Sequence, residues 1–393
     1  MAAEILTTNP ADFANRQQIY FSRVLMEALL FNLKLSLYGE SKEVPANSGV
    51  ASIRFFRPRR AKKGTATTGP RALTQGTPIT QATTVPIGYV DCILKQRGDS
   101  ISISDIVRAV DLFNTGEVYS KVMGYDAALD ADFVCSRAIC AQPGVADSDG
   151  SPATVPVGQT TMYNSNTSFE RFAGVVNTGN SANDFATMMG NSAKQGKLDR
   201  AIAIGAVTRL KGINGLPGVP TINGKYIGLV AHEVLADMRQ DSVWQGTAIY
   251  NNAKGSGIDL TRWVEFDLDG VSYVENSSPF IESTVNPPGG AGTGGYGIYS
   301  PDATANPVIA NNSYANLYLG KSAFGVPKLS GMRAGSDPFA PSLIVLDKPD
   351  KADPANQETV YSWKAFYQAI LLWTNEATDT PHLVVQRTRS AFA

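Results

Sequence analysis

Val44-Pro-Ala-Asn-Ser-Gly-Val-Ala-Ser-Ile-Arg-Phe-Phe-Arg-Pro-Arg-Arg-Ala-Lys-Lys-Gly64, continuing through Thr65 to Val90, is the stretch on which the reading of this chain turns. It holds seven basic residues, Arg54, Arg57, Arg59, Arg60, Lys62, Lys63 and Arg71, and no aspartate or glutamate. Lys62 to Thr84 consists mostly of Gly, Thr, Ala, Pro and Gln, a composition that cannot build a packed core of its own. The flanks differ. Val50 to Phe56 and Val85 to Leu94 carry the β-branched and aromatic residues of strands, and Pro86 suits an edge position. The pattern predicts two strands running out and back with a basic, coreless tip. Fully extended, the roughly 20 residues from Val50 to Pro70 reach about 65 Å, whereas a compact chain of this length has a radius of gyration of about 21 Å. Something outside the arm's own molecule must cover it.

The remaining composition narrows the function classes. At 393 residues the chain has room for two or three domains and a sizeable core. A net charge of −1 argues against a polycation seeking nucleic acid. Cys92, Cys135 and Cys140 are odd in number and lack metal-ligand spacing, which suits a reducing compartment. The N-terminus lacks the basic start and apolar run of a secretory signal, and no apolar run is long enough to suggest a membrane span.

Asn9-Pro10 and Gly39 are the expected start and stop of an N-terminal helix. Within it Phe13, Tyr20, Val24, Ala28, Phe31 and Leu35 form one apolar stripe, widened by Phe21, Leu25, Leu29 and Leu33. So wide a stripe is expected to pack under another element or subunit. After the arm, the period changes from two to 3.6 across Ile101 to Asp105, with Ser104 a cap candidate. A helix runs to Phe113, breaks at Asn114-Thr-Gly116 and restarts, Asn114 and Glu117 having the spacing of a reciprocal cap. Val118, Val122, Tyr125, Leu129 and Phe133 then mark one stripe of a long helix reaching about Cys140.

Charge is segregated between these segments. From Asp99 to Asp132 there are seven acids, Asp99, Asp105, Asp111, Glu117, Asp126, Asp130 and Asp132, against Arg108 and Lys121. The basic arm and this acidic segment are complementary, and the arm is too long to fold back fully. Contact between copies is therefore the expected use, with charge setting register and partner choice. Two solvated faces, or an arm whose cations neutralise phosphates, are the alternatives. Phe55 and Phe56 are adjacent in a strand, so one of them faces inward and packs rather than stacking on bases.

Further on, Pro143 to Asn183 and Pro287 to Pro307 read as loops, the first with short strands. Helices are expected over Phe185 to Met189, Lys197 to Lys211 and His232 to Gln240, and a buried strand over Lys225 to Ala231. Asp269-Gly270 predicts a hairpin turn. Asn316 to Gly320, Ser342 to Leu346, Thr359 to Trp373 and His382 to Arg387 read as strands. Helix and strand alternate without a βαβ rhythm, so the expected class is α+β.

No catalytic constellation emerges. Gly292-Thr-Gly-Gly-Tyr-Gly297 spells a dinucleotide fingerprint without a strand before it or a helix after it. Gly320-Lys321-Ser322 follows a strand, but position 315 is alanine and Pro327 opposes a following helix, so a turn between strands is expected. His232 lacks a second histidine at zinc-protease spacing. No cofactor or metal site is expected, and the chain is not expected to be an enzyme.

Taken in order, several segments resemble the major capsid proteins of tailed bacteriophages with the Hong Kong 97-type fold, most closely the coat proteins typified by phage N-four. They are Tyr38-Gly39, Val50 to Phe56, Leu73 to Pro78, Gln96 to Asp105, Tyr226 to Arg239, Gly270 to Glu275, Leu319 to Val326 and Thr359 to Phe366. The resemblance implies an N-terminal arm (1–43), an extended loop (44–98), a peripheral domain with a spine helix (99–195), an axial domain (196–335) and a C-terminal return to the peripheral domain (336–393). It also implies a virion protein assembled in the bacterial cytoplasm, whose pentamers and hexamers form an icosahedral shell around double-stranded DNA. Decoration, scaffolding and portal proteins are the further implied partners, and no membrane is. A monomeric β-rich binding or adhesion protein, and a nucleotide-dependent enzyme built on Lys321, are the competing readings.

Overall fold

The computed structural model describes residues 20, 23–29, 33–44, 52–58, 75–76, 87–110, 115–140, 170–172, 197–212, 218–240, 242, 264–276, 280–283, 312–329, 341–346, 357–372 and 382–389. The arm tip apart from residues 75–76, the loops expected over 143–183 and 287–307 apart from residues 170–172, the helix expected over 185–189 and the Gly292 to Gly297 motif lie outside them.

The long helix expected from the apolar periodicity is α2 (Thr115–Cys140), preceded by the short α1 (Asp105–Val110). β4 (Lys95–Ser104) runs straight into α1, as the change of period predicts. Its partners are β13 (Glu358–Tyr367) and β12 (Ser342–Leu346), in the antiparallel order β12-β13-β4. Strand alternation divides β13 cleanly. Thr359, Tyr361, Trp363, Ala365 and Tyr367 are buried, while Val360, Ser362, Lys364 and Phe366 lie on the half-exposed face.

Against this sheet α2 turns a face of small and medium residues: Ser120, Met123, Gly124, Ala127, Ala128, Ala131, Val134, Cys135 and Ile139. Small side chains let a second helical segment (residues 23–29) approach closely. A Cβ on Gly124 would lie 2.6 Å from the Leu25 carbonyl oxygen and 2.8 Å from the Ala28 Cβ. The two segments run parallel, for Tyr20 meets Glu117, Leu25 meets Gly124 and Leu35 meets Asp132. Leu25, Leu29, Leu33 and Leu35 are fully buried there, each worth about 2 kcal/mol of apolar transfer. Of the expected N-terminal stripe, Val24, Leu25, Leu29, Leu33 and Leu35 are thus buried inside the chain, whereas Tyr20 is exposed and Phe13, Phe21 and Phe31 lie outside the described residues.

Two expectations about this region change. The N-terminal helix does not continue to Gly39, because residues 33–35 break it and a 3-10 turn (Ser36–Tyr38) follows. Gly39 is extended, with φ −73° and ψ 150°, and is no helix stop. A Cβ there would meet Val326 Cγ2 at 2.6 Å and the Phe324 ring at 2.7 Å, so close packing is what requires glycine.

The second large sheet has the order β5-β15-β10-β6-β8-β7, with β9 also on β10. Its strands are β5 (Glu170–Phe172), β6 (Tyr226–Ala231), β7 (Val264–Leu268), β8 (Val271–Asn276), β9 (Phe280–Ser283), β10 (Asn312–Leu319) and β15 (Leu383–Arg389). Both faces are covered. Ile227, Leu229, Leu317, Leu319, Leu383 and Val385 join the core under α2, while Val230, Tyr273, Tyr318 and Val384 join a second core. That second core packs against α3 (Arg200–Leu210) and α4 (His232–Gln240). Burial on both faces explains the unbroken apolar run of β6. Asp199 caps α3 by accepting the Ile202 N–H at 2.8 Å. Asp269 and Gly270, with φ of 53° and 84°, make the predicted tight turn between β7 and β8.

A small sheet joins β1 (Glu40–Val44), β11 (Phe324–Leu329) and β14 (Ile370–Leu371), with β1 parallel to β11. Gly320-Lys321-Ser322 is the expected turn, with the Gly320 N–H bonded to the His382 carbonyl at 2.8 Å and the Lys321 N–H to that of Pro220 at 2.9 Å. The segment 336–393 is not one return to one layer. β12 and β13, β14, and β15 enter three different sheets. The single strand expected from Thr359 to Trp373 is broken between Tyr367 and Ile370 for the same reason. β5, from the segment 99–195, lies in the seven-stranded sheet beside β15.

Candidate interaction surfaces

The root of the basic arm is a two-stranded antiparallel hairpin, β2 (Ser52–Pro58) with β3 (Ile87–Ile93), in a register that sets Ile53 opposite Cys92, Arg54 opposite Asp91, Phe55 opposite Val90 and Phe56 opposite Tyr89. Alternation gives it two unlike faces. Ile53, Phe55, Val90 and Cys92 turn inward onto Ile370 and Leu372. The Phe55 ring fills the space a side chain on Gly325 would take, and Lys42 Nζ stands 4.9 Å from its centroid. The hairpin is therefore anchored in its own molecule by this face. The outer face carries exposed Phe56, Tyr89 and Ile93 around an ion pair. Arg54 donates to both Asp91 oxygens, at 2.6 and 2.7 Å, and its guanidinium lies 4.0 Å from the Tyr89 centroid. The hydrogen bonds from Arg54 hold the Asp91 carboxyl below its usual range. Asp91 just follows the basic stretch, so the nearest basic residue of the arm is balanced locally. Arg57 lies opposite Gly88 on β2, and Arg59, Arg60, Lys62, Lys63 and Arg71 fall outside the described residues.

The acidic segment is more divided than its charge count suggested. Asp132 is 1% exposed. Its carboxylate accepts the backbone N–H groups of Lys34, Leu35 and Ser36 at 3.0, 3.0 and 3.1 Å. It serves the chain that connects the N-terminal helix to β1 and presents nothing to a neighbour. Burial raises its carboxyl to about 6, against the opposing pull of those three N–H groups. Asp130 accepts the Tyr367 hydroxyl and lies 3.4 Å from Arg97 Nη1, tying α2 to β4 and β13. The Arg97 guanidinium also stands 5.6 Å from the Tyr367 centroid. Asp126 is exposed but reaches toward the buried Trp363 of β13, and partial burial and then repulsion from Asp99 raise its carboxyl above the usual range against the pull of that indole. Glu117 accepts Lys121 Nζ at 2.8 Å and the Tyr20 hydroxyl at 3.3 Å. Its expected reciprocal partner Asn114, and Asp111, lie outside the described residues. Asp105 is exposed, with Oδ1 accepting the Ile106 N–H at 2.6 Å.

The surface that charge counting missed is apolar. Val118, Val122, Tyr125 and Leu129, the stripe that marked the helix, are 50%, 46%, 47% and 45% exposed. They face away from the core that the small residues of α2 occupy. The signal was in the sequence, because α2 holds two apolar faces and one helix packed on one side can bury only one. Over eleven residues the stripe spans about 16 Å. The outer hairpin face from Ser52 to Phe56 spans about 13 Å. The two faces match in length and in aromatic and aliphatic character, and each is anchored by its back to its own chain.

The remaining sequence candidates are structural. His232 stands at the β6–α4 junction with Nδ1 3.2 Å from Glu275. Cys92 and Cys135 are buried free thiols, and burial pushes Cys92 up to about 12. Among the described residues no cluster of histidine, cysteine and carboxylate side chains could hold a metal ion, and no helix is long and apolar enough to cross a membrane.

A hairpin arm, a long helix on an antiparallel sheet, and a second sheet covered on both faces define the Hong Kong 97-like fold of tailed-phage capsid proteins. Solved structures similar to this chain include phage capsids. The capsid of Ralstonia phage GP4 matches with a TM-score of 0.58 at 12% identity, over 90% of this chain and 87% of that one. The capsid of cyanophage Pam1 matches with a TM-score of 0.54 at 14% identity, over 92% and 91%. That of Helicobacter pylori bacteriophage KHP30 matches with a TM-score of 0.52 at 8% identity, over 89% and 87%. No protein-family model and no curated protein matches the sequence.

Proposed function

We propose that the chain is a phage major capsid protein, self-assembling as pentamers and hexamers into an icosahedral shell around double-stranded DNA. The observation that carries this reading is the fold shared over about nine tenths of both chains with capsid structures. The narrower placement beside the phage N-four coat proteins rests on the sequence segments alone. Virion location, assembly in the host cytoplasm, and contact with portal, scaffolding or decoration proteins and with packaged DNA follow from the reading. So does the division into arm, extended loop, peripheral and axial parts, with a structural role in place of catalysis.

Within this reading the arm is a clasp between copies. The outer face of the β2–β3 hairpin lies on the Val118 to Leu129 stripe of a neighbour, and the basic tip, Arg57 to Arg71, meets exposed acids such as Asp126 and Asp105. Aromatic residues and arginine on the hairpin suit the centre of such a contact, and the charges suit its register. Asp130 and Asp132 take no part, being bound within their own chain.

The test is particle formation by the purified full-length chain, followed by sedimentation and electron microscopy. Closed shells or rings are the expected result, and a monomer under all assembly conditions overturns the capsid reading. Removing residues 61–76 is expected to leave capsomers or monomers that do not close. Normal shells from that deletion remove the arm from the clasp while leaving the capsid reading intact.

A further inference from the structure

β4 is paired along one side only. In the order β12-β13-β4 it is an outermost strand, and its ten residues make a long edge to leave open. The register shows which of its backbone groups face outward. The Asp105 N–H is bonded to the Gln357 carbonyl at 2.8 Å, continuing by one position the register in which Ser104 faces Glu358. Antiparallel pairs alternate between bonded and non-bonded, so Ile103, Ile101, Asp99, Arg97 and Lys95 make the ladder to β13. Gln96, Gly98, Ser100, Ser102 and Ser104 therefore turn their N–H and carbonyl groups away from β13, and all five residues are exposed. The Ser100 N–H donates to Asp99 Oδ1 at 2.8 Å, as an amide off the ladder can. Among the described residues no other strand lies along this edge.

Charge narrows what can pair there. Asp126 of α2 lies close enough to Asp99 of β4 for the two carboxylates to repel. The β4 edge of a second copy would add another such pair of acids, whereas a basic strand is drawn to the pair already present. Through Asp126, which follows Tyr125 of the exposed α2 stripe, the edge adjoins the surface assigned above to a neighbour's hairpin.

The arm contains such a segment. Between Pro58 and Pro70 run Arg59-Arg-Ala-Lys-Lys-Gly-Thr-Ala-Thr-Thr-Gly69, eleven residues with four cations, no acid and no proline, so every one of them has a backbone N–H to donate. Extended, they span about 36 Å, against about 33 Å for β4. Strand alternation sets Arg59 and Lys63 on one face and Arg60 and Lys62 on the other, so whichever face meets Asp99 and Asp126 brings two cations. Within one copy β3 enters β4 at its first residue, and the tip lies at the far end of the hairpin. We infer that residues 59–69 of a neighbouring copy add as a strand to the free edge of β4, held by main-chain hydrogen bonds and steered by Asp99 and Asp126. This inference rests on the capsid reading and assigns the place where the basic tip docks.

Amide hydrogen exchange of the full-length chain, before and after assembly, reads the contact directly. The N–H groups of Gln96, Gly98 and Ser102 should exchange about tenfold or more slowly in particles, tenfold being roughly 1.4 kcal/mol of protection. Unchanged exchange overturns the inference and leaves the capsid reading standing. Protection already present before assembly gives the edge to the chain's own arm and overturns it too. Ser102→Pro removes an outward N–H and keeps every bond to β13, so it should lower shell yield about tenfold with little change in thermal unfolding. A folded variant that closes at the wild-type yield overturns the inference. Asp99→Lys, at an exposed residue, makes the same test through charge if Ser102→Pro does not fold. Its loss of yield should be rescued by Arg59→Asp with Lys63→Asp or by Arg60→Asp with Lys62→Asp, and rescue by neither pair overturns the choice of residues 59–69. A wild-type chain that forms no particles overturns the capsid reading and this inference together.

Discussion

The Asp132 carboxylate of α2 and the backbone N–H of Leu35 lie 3.0 Å apart, and through this bond and its two neighbours a fully buried acid fixes where the N-terminal segment leaves the long helix. Oδ1 serves both Leu35 and Ser36, while Oδ2 serves Lys34. Replacing Asp132 by alanine leaves buried donors unpaired, each costing about 1–3 kcal/mol. Asp132→Ala should therefore lose roughly 3 kcal/mol or more in urea unfolding, and the N-terminal segment should become protease-sensitive.

The same residue makes stability depend on pH in an unusual sense. Its carboxyl is raised from 3.8 to about 6 in the folded chain, so between these values the fold binds the proton that the unfolded chain has released. The stabilisation from that proton is complete below about pH 4 and is lost as pH rises through 6. It amounts to roughly 3 kcal/mol over the window. Asp132→Asn keeps an acceptor for Leu35 and Ser36 and cannot ionise. The wild type should lose stability relative to Asp132→Asn as pH rises from 4 to 7, and an unchanging difference would count against this account.

Gly124 is the notch in which the N-terminal helix lies. Gly124→Ala places a Cβ 2.6 Å from the Leu25 carbonyl oxygen, where backbone must move, and should cost about 1–3 kcal/mol. Gly205, inside α3, has nothing within 4 Å of a built Cβ. Gly205→Ala should raise stability by up to about 1 kcal/mol by helix propensity alone. Thermal unfolding of the pair separates a glycine kept for contact from one that contacts nothing.

Asp130 tests which acids belong to the core. Because it holds Arg97 and Tyr367, Asp130→Asn should destabilise the isolated chain by about 3 kcal/mol through the poorly compensated guanidinium. Reversing Asp130 should accordingly fail to rescue an arm in which Arg57, Arg59 and Arg60 are changed to Glu. Reversing the exposed Asp126 is the variant expected to restore particles in part, measured as shell yield under the electron microscope.

The apolar clasp is tested on both of its faces. Val122→Asp and Phe56→Ser alter exposed side chains, so the melting temperature should move little. Assembly should be lost in each. Variants that assemble normally would show that the stripe and the hairpin face are not joined in the particle.

The amino-acid sequence by itself determined the elements whose periodicity is local. The strand flanks of the basic arm, the passage from β4 into α1, the length of α2 and the Asp269-Gly270 turn all follow from side-chain spacing and backbone preference within a few residues. The expectation that the arm's tip needs a partner comes from the composition of Lys62 to Thr84 alone, most of which lies outside the described residues. Only tertiary structure decided which of two apolar faces of α2 is buried. Both faces have helical spacing, and the small-residue face won because Gly124 and its neighbours admit a second helix and a sheet at close range. Tertiary structure likewise sorted the acids. Asp126, Asp130 and Asp132 lie within seven residues on one helix, yet one is exposed at the edge of the sheet beside Trp363, one binds Arg97 and Tyr367, and one caps a backbone nearly a hundred residues away. Charge counts along a sequence sum over all directions around a helix, whereas an interface uses only the side that packing leaves open.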